Sequence, residues 1–455
     1  MDVLIKASQL ILSLGLLILF HEFGHFITAK MFKTRVEKFY LFFDFLFPLP
    51  TVLNFALFKK KIGDTEYGLG WFPMGGYVSI AGMVDESLNT EELEKPAEPW
   101  EFRAKPAWQR LIIMLGGIIV NVLLAFIIYA FVLFSYGERT LPMQSLKDGV
   151  WADSLAIEMG FKTGDKIKSV DGVPVQYYNK LMTQVVTGEY VTIERNGKEE
   201  ILKMPKDLID QLAQKKNLAF LDIRLPVFIG EIPADCPNKN SGIKVGDRIL
   251  SINDTISTKY IDQWKIALRE FKNKTISIQV DRNGEKVNIP TVKVNNELRI
   301  GIVLGNLNPD ELEKMKILAF ERKQYGFFEA FPAGVVKTWG VLMDYINQFK
   351  LILSPSTGAY KHMGGFISMG KIFPAEWDWE NFWNRTAFIS IILAFMNLLP
   401  IPALDGGHVV FTLYEMITRR KPSIKVLTYA QYVGMAFLLL LMLYANLNDI
   451  IRLFQ

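Results

Sequence analysis

Among the stretches without Asp, Glu, Lys or Arg, four read as membrane-spanning helices: residues 7–20, extended on both sides by apolar residues, then 111–134, 386–404 and 426–448. Each reaches or approaches the length a helix needs to cross roughly 30 Å of hydrocarbon. The pattern predicts an α-helical multi-pass membrane protein with four transmembrane helices and both termini on one side. The first stretch runs directly into His21-Glu-Phe-Gly-His25 and not into a small-residue cleavage site, so it reads as a retained span and not a removed signal peptide.

Between the second and third spans the composition turns soluble and an internal repeat appears. Gly160-Phe-Lys-Thr-Gly164-Asp165-Lys-Ile167 recurs as Gly242-Ile-Lys-Val-Gly246-Asp247-Arg-Ile249. Each copy continues through a helix-like stretch into an Arg-Asn-Gly turn, Arg195–Gly197 and Arg282–Gly284, between alternating apolar residues, the signature of a β-hairpin. Two inserted α+β modules are therefore predicted, at 137–222 and 223–305. Residues 325–352 are mostly apolar with Lys337 and Asp344 on one helical face, which predicts a helix on the outer membrane surface or one buried in the outer domain. The Gly-, Ser-, Pro- and Trp-rich residues 353–385 read as the connection to the third span. The remaining divisions are 1–136 for the first two spans, 306–385 for surface helix and connector, and 386–455 for the last two spans.

Basic residues orient these pieces. Lys30, Lys33, Arg35 and Lys38 follow the first span, Arg103, Lys105 and Arg110 precede the second, and Arg419, Arg420, Lys421 and Lys425 separate the last two. Both loops are expected in the cytoplasm, with the termini and the segment from about 137 to 385 outside. Half the residues are hydrophobic and only 22% charged, which excludes an ordinary soluble enzyme. Fifty-one Lys and Arg against 47 Asp and Glu leave a net charge of +4, too little to imply a nucleic-acid partner. Cys236 is the single cysteine, so a disulfide within the chain or a cysteine-based metal cluster is excluded, and any metal must be held by His and carboxylate.

That restriction gives weight to His21 and His25. On a helix, residues four apart lie one above the other, so both imidazoles can share a metal while Glu22, rotated by about 100°, reaches toward its open position. Catalytic zinc needs a third protein ligand. Residue 31 is Met where one class of zinc protease has its third His, and Glu37 lies in a charged stretch without a helix signal. Asp405 is the better candidate, because Pro400, Pro402, Gly406 and Gly407 break the third span around it and an aspartate in lipid needs a partner. His408 reads as a packed or outer histidine and His362 as structural or surface.

H-E-F-G-H in the first span together with Asn397-Leu-Leu-Pro-Ile-Pro-Ala-Leu-Asp405-Gly in a late span resembles the site-2 protease family of intramembrane zinc metalloproteases, and each repeated module resembles a PDZ domain of the bacterial protease-associated type. The resemblance implies Zn²⁺ held by His21, His25 and Asp405, Glu22 as general base, and Asn397 holding substrate or the oxyanion. Gly117 and Asn121 match the family's G-x-x-x-N element, which implies that they too are substrate-binding positions. Residues 66–84 resemble its membrane re-entrant β-hairpin, in which Gly68 and Gly70 would allow close approach of an unwound substrate strand. It further implies a bacterial inner-membrane protein with extracytoplasmic PDZ domains and an active site toward the cytoplasm. Its substrates would be single-span membrane proteins, namely an anti-sigma factor already clipped by an upstream site-1 protease and remnant signal peptides. Two rivals from other classes are a non-catalytic PDZ scaffold with structural zinc and a metal-handling membrane protein; the intact Glu22 speaks against the first and the single closed site against the second.

Overall fold

Two 30-residue helices, α1 (Asp2–Met31) and α2 (Ala107–Tyr136), grow out of the first two apolar stretches. They belong to a computed structural model that describes residues 2–46, 53–73, 75–83, 96–215, 220–305 and 309–454. The chain divides into two units, one of residues 1–138, 323–354 and 359–455, the other of 139–322 with 355–358.

In the first unit α1 and α2 are joined by α3 (Phe327–Leu353), α4 (Trp379–Leu398), α5 (Asp405–Thr418) and α6 (Ile424–Phe454). Among the described residues three helices, α1, α2 and α6, are long and apolar enough to cross a membrane. The expected span 386–404 is not one helix. α4 begins earlier, carries Glu380 and Arg385, and stops at Leu398, because Pro400 and Pro402 cannot continue the helical hydrogen bonds; the chain restarts as the separate α5 at Asp405.

The helix predicted at 325–352 exists as α3, and it sits in the helical unit, not in the repeated modules. Ala330, Gly334 and Thr338 form its buried stripe at four-residue spacing. A Cβ on Gly334 would lie 2.9 Å from the Ala130 nitrogen, so the missing side chain is what lets α3 approach α2. Phe327 packs edge-on to Phe134, and Lys337 lies over the Tyr129 ring at 5.3 Å. Tyr345 packs edge-on to Phe388 and Phe395 of α4.

A four-stranded sheet completes this unit: β1 (Val36–Leu41), β2 (Ala56–Ile62), β3 (Thr65–Gly70) and β4 (Tyr77–Ile80), in the order β2-β3-β1-β4. The expected hairpin over residues 66–84, of which Met74 and 84 lie outside the described residues, is therefore corrected. β3 and β4 do not pair with each other; β3 runs parallel to β1 on one side and β4 antiparallel to it on the other. The hairpin present is β2–β3, turned at Gly63 and Asp64, where Gly63 has φ 62°. Gly68 and Gly70 consequently lie on an interior strand. A Cβ on Gly68 would strike the Tyr40 ring and one on Gly70 the Phe43 carbonyl, so these glycines serve packing within the sheet.

The second unit contains the repeat. Its first copy has β5 (Lys166–Val170), β6 (Val173–Pro174), β7 (Tyr190–Arg195) and β8 (Lys198–Lys203) in the order β8-β7-β5-β6; its second has β9 (Arg248–Ile252), β10 (Ile256–Ser257), β11 (Thr275–Arg282) and β12 (Glu285–Lys293) in the order β10-β9-β11-β12. The two topologies are the same, and each copy places a helix, Tyr178–Thr187 or Ile261–Ala267, between its second and third strands. Each has its own core, built around Phe161, Leu181 and Ile193 in one and Ile249, Trp264 and Ile278 in the other. Leu312 and Leu318 pack into the first of these, so residues 309–322, read from sequence as the start of the connector 306–385, belong to this unit; 306–308 lie outside the described residues.

Candidate metal centre

His21 and His25 sit on consecutive turns of α1, with ring centroids 4.8 Å apart. α5 begins at Asp405, and that carboxylate reaches both rings: Oδ2 is 3.2 Å from His21 Nε2 and 3.3 Å from His25 Nε2. One ligand atom from each of the three residues lies within 4.8 Å of the other two. The local chain geometry explains why an aspartate can sit here. Ala403, at φ 81°, turns the chain after the two prolines, and Gly406 and Gly407 allow α5 to abut the end of α4 and the Pro402 backbone, where a Cβ would collide with the Leu399 carbonyl or lie 2.7 Å from Pro402 Cα. An ion pair between Arg110 and Glu415, 2.5 Å long and about one-tenth exposed, ties α5 to α2.

The neighbouring helices are shaped to the same three residues. Gly24 on α1 faces Gly116 on α2, so the helix axes approach closely. A Cβ on Gly117 would lie 2.6 Å from His21 Cε1 and would collide with His25 Nε2; the glycine makes room for the rings. His25 Nδ1 lies 2.9 Å from the Ile113 carbonyl, to which it donates, so its Nε2 lone pair points at Asp405. Asn121, fully buried, has Nδ2 3.2 Å from His21 Nδ1, and Asn397 has Nδ2 3.3 Å from His21 Nε2. The Glu22 carboxylate lies among His21, His25 and Asp405 with the Val78 backbone N–H beside it, which brings β4 to the site. This was not legible in the sequence, where 66–84 looked like one hairpin with its glycines toward substrate; the strand next to Glu22 is the edge strand β4.

A cation fits this donor set. Asp405 Oδ2 is buried with no hydrogen-bond donor, an expensive state for a carboxylate oxygen unless a positive charge occupies the space it shares with the two imidazoles. Two His nitrogens and one carboxylate oxygen are a zinc-type set that leaves a coordination position open. His408 is not part of the cluster; its carbonyl accepts from Thr412 within α5. Glu37 lies on β1, in agreement with its lack of a helix signal.

An H-E-x-x-H turn, an opposing aspartate and helices able to cross a membrane define an integral-membrane metalloendopeptidase. The chain belongs to peptidase family M50, which it matches over residues 9–441. Among its relatives are the regulator of sigma-E protease RseP of Escherichia coli, 28% identical over 98% of each chain, and a zinc metalloprotease by name from Vibrio cholerae, 29% identical over 99% of this chain and 100% of that one. Protease RseP of Yersinia pestis is 27% identical over 100% of both.

Proposed function

We propose that the protein is an intramembrane zinc protease of the site-2 type that cuts the transmembrane segments of single-span membrane proteins near the cytoplasmic face. The convergence of His21 Nε2, His25 Nε2 and Asp405 Oδ2 within 4.8 Å carries this reading. His21, His25 and Asp405 would hold a zinc ion, which when bound would supply Lewis acidity to a water and to the scissile carbonyl. Glu22 takes the proton from that water and passes it to the leaving amine. Asn397, beside His21, is in position to hold substrate or the developing oxyanion. A peptide locked in helical bonds presents no accessible carbonyl, so the substrate unwinds, and the edge strand β4 beside Glu22 offers it backbone partners.

The repeated units act as tandem PDZ domains outside the inner membrane, filtering substrates by bulk. In this reading α4 with its broken continuation counts as the fourth span, and the basic residues beside the spans favour a site toward the cytoplasm. The substrates are an anti-sigma factor already shortened by a site-1 protease, and remnant signal peptides; the similarity to RseP chains supports this assignment. Glu22→Gln tests it: the variant keeps its zinc and loses cleavage of a reporter span, whereas continued cleavage overturns the base assignment. His21→Ala loses the metal; unchanged zinc content overturns the ligand assignment.

A further inference from the structure

α2 faces the two imidazoles with three positions of a single stripe, 113, 117 and 121, four residues apart. Each contributes something different. The Ile113 carbonyl receives Nδ1–H of His25 at 2.9 Å, Gly117 leaves the space both rings occupy, and the Asn121 amide lies 3.2 Å from Nδ1 of His21. Both Nδ1 atoms thus point to α2 and both Nε2 atoms to Asp405. Asn121 is fully buried, its Oδ1 has no partner, and its backbone carbonyl is held by Ser390 Oγ of α4 at 2.8 Å, so the side chain has little freedom to leave the ring.

We propose that Asn121 is a positioning residue for the metal: its Oδ1 accepts Nδ1–H of His21 and thereby keeps the Nε2 lone pair of that ring free for the cation. The inference rests on the ligand assignment above. Two orientations of the amide satisfy the 3.2 Å contact. With Nδ2 donating to Nδ1, the ring proton sits on Nε2 and blocks coordination. With the amide turned by half a revolution, Oδ1 takes the ring proton and His21 presents a lone pair toward Asp405, matching what the Ile113 carbonyl does for His25. Only the second is compatible with two imidazole ligands. The role differs from the contact with substrate that the G-x-x-x-N resemblance implies for Asn121.

The test measures zinc affinity of the full-length purified protein by competition with a chelator, and the absorption bands of its Co²⁺ form. Asn121→Leu preserves volume and cannot accept; it is expected to weaken zinc binding about 10- to 100-fold and to shift the Co²⁺ bands. Asn121→Asp can only accept when ionised, and is expected to bind zinc close to wild type. An Asn121→Leu protein with wild-type zinc affinity overturns the proposal and returns Asn121 to substrate contact or packing. A folded Asn121→Asp protein that loses zinc also overturns it, because the amide would then be acting as donor. Should Asn121→Leu not fold, Asn121→Asp decides alone. His21→Ala serves as the reference: if it too binds zinc normally, the failure lies with the ligand assignment and not with Asn121.

Discussion

Gly24 and Gly116 meet backbone to backbone between α1 and α2, so closely that a Cβ on Gly24 would lie 2.6 Å from the Gly116 carbonyl carbon and one on Gly116 would lie 2.7 Å from Thr28 Oγ1. The contact sits one residue before His25 and one before Gly117, and therefore sets how near the imidazoles come to α2. Gly24→Ala is expected to cost about 1–3 kcal/mol by overpacking. It also separates the helices and lowers metal content. Ala substitution at Gly340, half-buried on α3, where a Cβ meets nothing within 4 Å, is the control. Thermal midpoint and zinc content are the readouts.

Removal of the metal should destabilise the helical unit. Asp405 Oδ2, buried without a donor, then has only imidazoles before it. A ligand present at a hundred times its dissociation constant contributes about 2.7 kcal/mol, so chelation is expected to lower the unfolding midpoint and zinc to restore it. Asp405→Ala should make the midpoint insensitive to chelator.

The repeated Gly-Asp and Arg-Asn-Gly motifs turn out to be two ends of one clasp. Arg195 donates to both oxygens of Asp165, from Nε at 2.8 Å and Nη2 at 2.7 Å, and to the Gly160 carbonyl; Arg282 does the same with Asp247 and Gly242. Both aspartates are 1% exposed and also accept a backbone N–H, from Lys162 or Lys244. Arg195→Ala leaves a buried carboxylate unpaired and should destabilise the first module by about 3 kcal/mol. Arg195→Lys should rescue little, since an ammonium cannot form the fork. Chemical denaturation of the full chain, monitored for the second unit, measures both.

Ala403 holds φ 81° immediately before the ligand-bearing turn. A left-handed conformation costs a non-glycine residue about 1–2 kcal/mol. Ala403→Gly is accordingly expected to raise the unfolding midpoint, while Ala403→Val, with a β-branched side chain at positive φ, should lower it and reduce zinc content.

Tyr260 donates to Asp148, and burial together with that carboxylate pushes its phenol up to about 12 from 10.0. A raised folded-state value means the stabilisation is complete below pH 10 and is lost as pH rises toward 12, because the unfolded chain ionises first. Tyr260→Phe should flatten the alkaline limb of the second unit's stability curve; an unchanged limb would show that the phenol does not contribute.

Much of the site was legible in advance for physical reasons. The four-residue spacing of His21 and His25 survives any packing, because a helix imposes it, and a lone Asp405 between two prolines and two glycines is out of place in an apolar stretch unless something binds it. The duplication was equally plain, since two copies of one sequence fold to one topology. What remained hidden depended on partners distant in the chain. Gly68 and Gly70 looked available to substrate until β1 was seen between β3 and β4, and strand order is a long-range property that alternation along one segment does not encode.

Local periodicity and composition thus determined α1, α2, α3 and α6, the repeat and the residue types able to hold a metal, because these follow from interactions within a few residues. Tertiary packing alone decided that α3 joins the helical unit through its Ala330-Gly334-Thr338 stripe, that β4 is the edge beside Glu22, and that Ile113, Gly117 and Asn121 of α2 aim both imidazoles at Asp405. The reason is geometric. A ligand's direction is set by the groups behind it, and those come from a helix about a hundred residues further along the chain.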